Sequence, residues 1–210
     1  MAENLEKETG AKFYLIHSPD QLSLRKLSEL GVDRVFFPYW SHKIPEELYS
    51  RYNCIVFHMT DLPYGRGGSP LQNLIERGVY ETKVTALKCT ELLDAGPVYL
   101  KRPLSLHGSA EEIYIRASEI IEQMIAQIVA DAPEPVAQEG DPVIFRRRSA
   151  ADGDISHLTD LTRVYDYIRM LDADGYPNAF VEVGGLRFEF RRASHRKDCI
   201  EADVVIRRKD

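Results

Sequence analysis

Three short apolar runs, Lys12–His17 (KFYLIH), Val32–Tyr39 (VDRVFFPY) and Cys54–His58 (CIVFH), alternate with segments of helical spacing, and the third is continuous rather than alternating. A strand covered on both faces must be apolar at consecutive positions. Such runs separated by helices therefore point to a parallel sheet with helices on both sides. Right-handed crossovers would bring the C-terminal ends of the strands to one rim, where open α/β sheets bind ligands. His17, Tyr39, Trp40 and His58 all fall at such ends. Leu22, Leu24, Leu27 and Leu30 recur at helical spacing before Gly31, and Pro45 sits where a short helix over 44–51 would start.

Downstream, a turn-rich stretch leads into a helix over Ser69–Glu76 with Pro70 in its first turn. Lys83–Leu87 and Pro97–Leu100 read as strands joined by the loop Leu93–Gly96. The strongest helical pattern is Ala110–Ala130, with Ser109 and Glu112 spaced as a capping box. Residues 132–142 are Pro-rich and polar. A helix (Leu161–Leu171) and three β segments (Ala179–Val183, Arg187–Arg191, Cys199–Ile206) follow, the first two joined by a Gly184-Gly185 hairpin turn. The expected division is a flexible terminus over 1–11, a core over 12–132, a linker over 133–156 and a small α+β tail over 157–210.

Composition narrows the function. At 210 residues, 44% hydrophobic and 29% charged, this is an ordinary globular chain. Its net charge of −6 argues against a nucleic-acid surface, and the basic runs 146–148 and 207–209 read as solvated faces. Cys54, Cys89 and Cys199 are too widely spaced for a metal knuckle or a redox motif, so no metal is expected and free thiols suit a reducing cytoplasm. No run is long enough to span a bilayer and no signal peptide is recognisable, which makes a cytoplasmic protein the expectation.

The chemistry concentrates in residues 57–75, FHMTDLPYGRGGSPLQNLI. A titratable ring, His58, stands at a strand end. Gly65, Gly67 and Gly68 allow backbone to approach a ligand closely, and N–H groups of such a turn opening a helix suit an anion. Arg66 could bind an oxyanion bidentately. Taken alone, each feature is commonplace: a packed histidine, an ordinary loop, an Asp94-Ala95-Gly96-Pro97 turn.

In combination, His58-Met59-Thr60-Asp61-Leu62-Pro63, Gly65-Arg66-Gly67, Thr82-x-x-Thr85 and Asp94-Ala95-Gly96-Pro97 resemble the signature of the 10-formyltetrahydrofolate-dependent formyltransferases. That pattern is Asn-x-His-x-Ser-Leu-Leu-Pro, a Gly, Thr-(Gly)-x-Thr and Asp-x-Gly-x-Ile/Val. Phe37–Pro45 occupies the place of the family's folate-side loop. The resemblance implies a Rossmann-like formyltransferase fold in the α/β class, abbreviated at the N-terminus, with a small α+β C-terminal tail. It implies 10-formyltetrahydrofolate as co-substrate, with His58 and Asp94 catalytic and Thr60 assisting. Phe37, Tyr39, Trp40, Ile44, Leu62 and Leu93 would hold folate, and Arg66, Gly67, Gly68 and Gln72 the acceptor. Two departures stand out. Val56 occupies the position of the family's catalytic asparagine, and one β-α-β unit is missing before Lys12.

On charge and size, the expected acceptor is the amine of a nucleotide-linked amino-dideoxy sugar, as in pseudaminic-acid-type pathways, with no nucleic acid or membrane partner. An abbreviated sheet leaves an edge to cover, so a homodimer is expected. The alternatives are a non-catalytic folate- or nucleotide-sugar-binding relative and a methionyl-tRNA formyltransferase-like enzyme.

Overall fold

The computed structural model describes residues Met1–Lys209. The chain divides into two compact units: Met1–Gly67, Lys83–Leu104 and Ala117–Ile144 form the first, and Gly68–Thr82, Ser105–Arg116 and the residues from Phe145 onward form the second.

The first unit is built on a sheet of order β1-β2-β4-β5. Its strands are β1 (Arg34–Phe37), β2 (Asn53–His58), β4 (Glu81–Lys88) and β5 (Val98–Ser105). β1 and β2 run parallel, as a short crossover helix α3 (Glu46–Tyr49) between them requires. β2 and β4 are antiparallel, so only part of the expected parallel sheet is present. Ahead of it lie α1 (Ala2–Thr9) and α2 (Leu24–Leu30). α2 ends at Gly31, whose φ of 64° is the left-handed conformation that caps a helix and favours glycine. Lys12–His17 is not a strand, which corrects the first expected run and removes His17 from a strand end.

Leu27, Phe37, Ile44, Leu48 and Cys54 form a buried cluster, with Trp40, Val56 and Cys89 packed against it. Beside β1 lies a cavity of about 630 Å³, lined by residues that include Leu5, Phe13, Ile16, Val35 and Trp40. The loop after β2 is pinned by charge. Asp61 accepts from Lys101 Nζ at 2.6 Å and pairs with Lys83 Nζ at 2.8 Å, and Lys101 also donates to the Leu62 carbonyl.

The strand β3 (Tyr64–Gly67) pairs with β6 (Val143–Phe145). Helix α5 (Ala110–Asp131) gives its residues from 117 on to the first unit and its first turns to the second, and it opens on the expected capping box. Ser109 N donates to Glu112 Oε2 at 2.8 Å, and Glu112 N to Ser109 Oγ at 3.3 Å.

The second unit holds α4 (Pro70–Glu76), α6 (Leu161–Arg169) and a meander of β7 (Ala179–Val183), β8 (Leu186–His195) and β9 (Ile200–Arg208). Gly184 and Gly185, at φ of 55° and 80°, make the two-residue turn between β7 and β8 that requires positive φ at both positions. A buried Asp166–Arg169 pair at 2.7 Å is completed by Arg169 donating to the carbonyls of Leu106 and Gly108. Those bonds offset part of the desolvation cost of a buried ion pair.

Among the described residues no helix is long and apolar enough to cross a membrane, and no group of three His, Cys, Asp or Glu side chains is placed to hold a metal.

Burial opposes ionisation of Asp61, but hydrogen bonds and charge from Lys101 and Lys83 outweigh it and hold the carboxyl below its ordinary value. The stabilisation is therefore present above the unfolded-state pKa of ~3.9 and lost as pH falls through the lower folded value. We expect Lys83→Met to cost under about 1 kcal/mol at pH 7, the pair being partly solvated. Urea denaturation should show that gap closing as pH falls through the lowered folded-state value, where the carboxyl becomes protonated. Burial, and then the neighbouring Cys89, pushes the Cys54 thiol up to about 12, whereas Cys199 is exposed. Alkylation at pH 8 followed by peptide mapping should label Cys199 in the native protein and Cys54 only after unfolding.

Candidate active site

His58 ends β2, an interior strand, and its side chain is only 9% exposed. Its Nε2 lies 2.7 Å from the carbonyl oxygen of Gly65. A carbonyl only accepts, so Nε2 carries a hydrogen in either charge state and donates it. The nitrogen that gains or loses a proton is therefore Nδ1, which stands 3.6 Å from Asp94 Oδ2. That distance is an ion-pair separation rather than a hydrogen bond.

Asp94 comes from the turn between β4 and β5 and is nearly as buried, its side chain 11% exposed. Oδ2 also accepts the backbone N–H of Gly67 at 3.0 Å. The carboxylate thus joins the strand-end histidine to the glycine turn. Two features of the turn explain its residues. Asp94 has φ of 53°, a left-handed conformation that aspartate tolerates better than most side chains. A Cβ on Gly96 would stand 1.8 Å from the Lys88 carbonyl oxygen, so the turn lies against β4 closely enough to exclude any side chain there.

Thr60 is completely buried, and its hydroxyl donates to the Gly65 carbonyl at 3.4 Å. Its own carbonyl accepts from Thr85 Oγ1 at 2.6 Å. The enclosed Thr60 hydroxyl thus braces the same carbonyl as His58. Val56 lies two residues before His58 on the same strand face and packs on the apolar cluster. Valine has no donor to offer.

Phe37 and Ile44 are members of that buried cluster, and Leu62 is 1% exposed, so these three act as walls at most. Tyr39 is exposed at φ of 57°, and Ser118 Oγ donates to its phenol oxygen at 3.1 Å. Burial pushes that phenol up despite the opposing hydrogen bond. Trp40 is half-buried, its indole N–H shielded from solvent without an acceptor among the described residues. Leu92 and Leu93, next to Asp94, are 71% and 72% exposed, high values for apolar side chains. The Cys89 thiol is raised by burial first and then by the charge of Asp94.

Arg66 is tied within the protein: its Nε and Nη2 donate to Gln138 Oε1 at 3.1 and 2.8 Å. Gly68 and Gln72 belong to the second unit. Gly68 is glycine because a Cβ would meet Arg147 Cβ at 2.6 Å, and Gln72 donates to the Met170 carbonyl at 3.2 Å. The structure thus brings together His58, Asp94, Thr60, Arg66 and Gly67 from the expected set. It adds the Gly65 carbonyl and Gln138. Nothing in the Pro-rich stretch around Gln138 marks that residue, and a backbone carbonyl leaves no signal in side-chain identity.

Comparison with known proteins accords with this geometry. Residues 150–207 match the model of the methionyl-tRNA formyltransferase C-terminal domain. The chain is 32% identical over 133 residues to methionyl-tRNA formyltransferase of Gluconobacter oxydans, covering 62% of this chain and 43% of that protein. A solved methionyl-tRNA formyltransferase structure from Clostridium thermocellum superposes with a TM-score of 0.94 at 46% identity, covering 99% of this chain and 92% of that one. A 4-N formyltransferase from Francisella tularensis shares the fold at a TM-score of 0.64, with 14% identity over 78% of this chain and 72% of the other. The chain spans about half the length of the curated relatives it matches.

These findings overturn the amino-sugar acceptor and the pseudaminic-acid pathway, since sugar-directed structures share little beyond the fold. They also remove the exclusion of nucleic acid, which rested on charge and size. The signature around His58 and Asp94 and the match across nearly the whole of a solved relative agree: the chain belongs to the formyltransferase family that includes the methionyl-tRNA formyltransferases.

Proposed function

We propose that the chain transfers a formyl group from 10-formyltetrahydrofolate to the α-amino group of methionyl-tRNA. The observation that carries this reading is the His58–Asp94 pair, Nδ1 to Oδ2 at 3.6 Å, with Nε2 fixed on the Gly65 carbonyl. Folate supplies an activated one-carbon acyl group. The residues suit it: Leu92 and Leu93 give an apolar surface beside Asp94, and the unpartnered indole N–H of Trp40 suits a ring acceptor.

In acyl transfer the amine nitrogen bonds to the formyl carbon, the bond from that carbon to N10 breaks, and charge develops on the formyl oxygen in between. A protonated His58 Nδ1 supplies a donor for that oxygen, a contribution of ~3–4 kcal/mol for one well-placed group. The attacking amine sheds a proton and the departing N10 takes one up. Asp94 accepts the first, and the adjoining imidazole passes a proton onward. Burial of both groups strengthens their interaction by keeping bulk water out.

Val56 favours a second reading, a relative that binds folate without turning it over. One experiment separates the two. Wild-type protein incubated with 10-formyltetrahydrofolate and methionyl-tRNA should give formylmethionyl-tRNA. His58→Ala and Asp94→Asn should each lower kcat by about 10²-fold or more, with thermal melting confirming that both variants fold. Folate-induced stabilisation of the wild type without product would establish the binding role, and undiminished turnover in His58→Ala would remove the mechanism.

A further inference from the structure

One side chain of the stretch after α5 reaches the Asp94 turn. Gln138 Nε2 donates to the carbonyl of Asp94 at 2.9 Å and to that of Gly96 at 2.8 Å. Its Oε1 accepts both N–H groups of Arg66. The orientation of the amide follows from its neighbours: two carbonyls require the NH₂ end and a guanidinium requires the oxygen. The stretch is anchored nearby, where Val98 and Val136 exchange backbone hydrogen bonds at 2.7 and 2.9 Å. The left-handed backbone of Asp94 is strained and persists only where surrounding contacts hold it.

We propose that Gln138, kept in orientation by Arg66, is a positioning residue that holds the Asp94 carboxylate opposite His58. Gln138 grips the turn by the carbonyls of Asp94 and Gly96, and the Gly67 N–H fixes the carboxylate itself. Arg66 then acts through Gln138 and does not bind the acceptor. The catalytic consequence rests on the formyl-transfer reading of the site; the positioning itself does not.

Two readouts test it on the full chain. In steady-state formylation, Gln138→Leu should lower kcat by ten-fold or more with KM for both substrates within two-fold, because a small misplacement of a reacting group costs rate rather than binding. Gln138→Glu should behave like Gln138→Leu, since a carboxylate accepts from Arg66 but cannot donate to the two carbonyls. Adding Arg66→Leu to Gln138→Leu should lower kcat no further, the two residues acting as one unit. Independently of activity, amide hydrogen exchange at Gly67 should accelerate at least ten-fold in Gln138→Leu while Val56 in β2 stays protected. Unchanged exchange at Gly67 overturns the positioning role, as does wild-type kcat or a loss confined to KM in an active enzyme. A wild type that forms no product while Gly67 exchange still responds to Gln138→Leu overturns the formyl-transfer reading and leaves the positioning established.

Discussion

The hydrogen bond from His58 Nε2 to the Gly65 carbonyl is the contact on which the site is organised. It closes the loop of residues 59–64 back onto the strand end and assigns the ring's two nitrogens different tasks. With Nε2 committed, the only imidazole atom with chemistry left is Nδ1, and that atom faces Asp94. Thr60 donates to the same oxygen from the buried side, and Thr85 fixes Thr60 in turn. A carbonyl receiving two donors is held in direction as well as place. The glycines follow from this crowding: Gly65 has φ of 81° and Gly67 φ of 106°, conformations closed to most side chains.

What was legible in the sequence followed physical regularities that are local. Helix α5 announced itself by spacing and by Ser109 and Glu112, because capping and amphipathic burial act within one or two turns. The Gly184-Gly185 turn was legible for the same reason. Lys12–His17 failed as a strand because an apolar run does not itself supply a pairing partner, and Tyr14 and Leu15 stand exposed. Phe13 and Ile16 line the cavity beside β1 without a ladder partner. The direction of β4 could not be read, since the residue pattern of a strand looks the same in either orientation.

For the site, His58 and Asp94 were legible only together, through the family pattern, and their contact spans 36 residues that periodicity cannot bridge. Arg66 shows what a local pattern leaves out. A guanidinium in a glycine turn reads as an anion clamp, yet its partner lies 72 residues away in a segment with no regular pattern. The acceptor was misjudged on charge and size. A net charge of −6 summarises a surface, whereas recognition depends on where charges lie. Much of the basic charge in the second unit is already paired, as in Arg187 with Glu182 and Glu189 and in Arg192 with Asp203.

The order of the four-stranded sheet has a consequence for how the molecule breathes. β1 stands at the margin with a ladder neighbour on one side only and lines a cavity, whereas β2 is laced to strands on both flanks. Margins with half their amides unlaced are where native proteins fray first. By that rule the margins β1 and β5 open before the interior strand β2. The imidazole, seated on the strand that parts late, keeps its alignment through fluctuations that have already loosened the neighbouring layer.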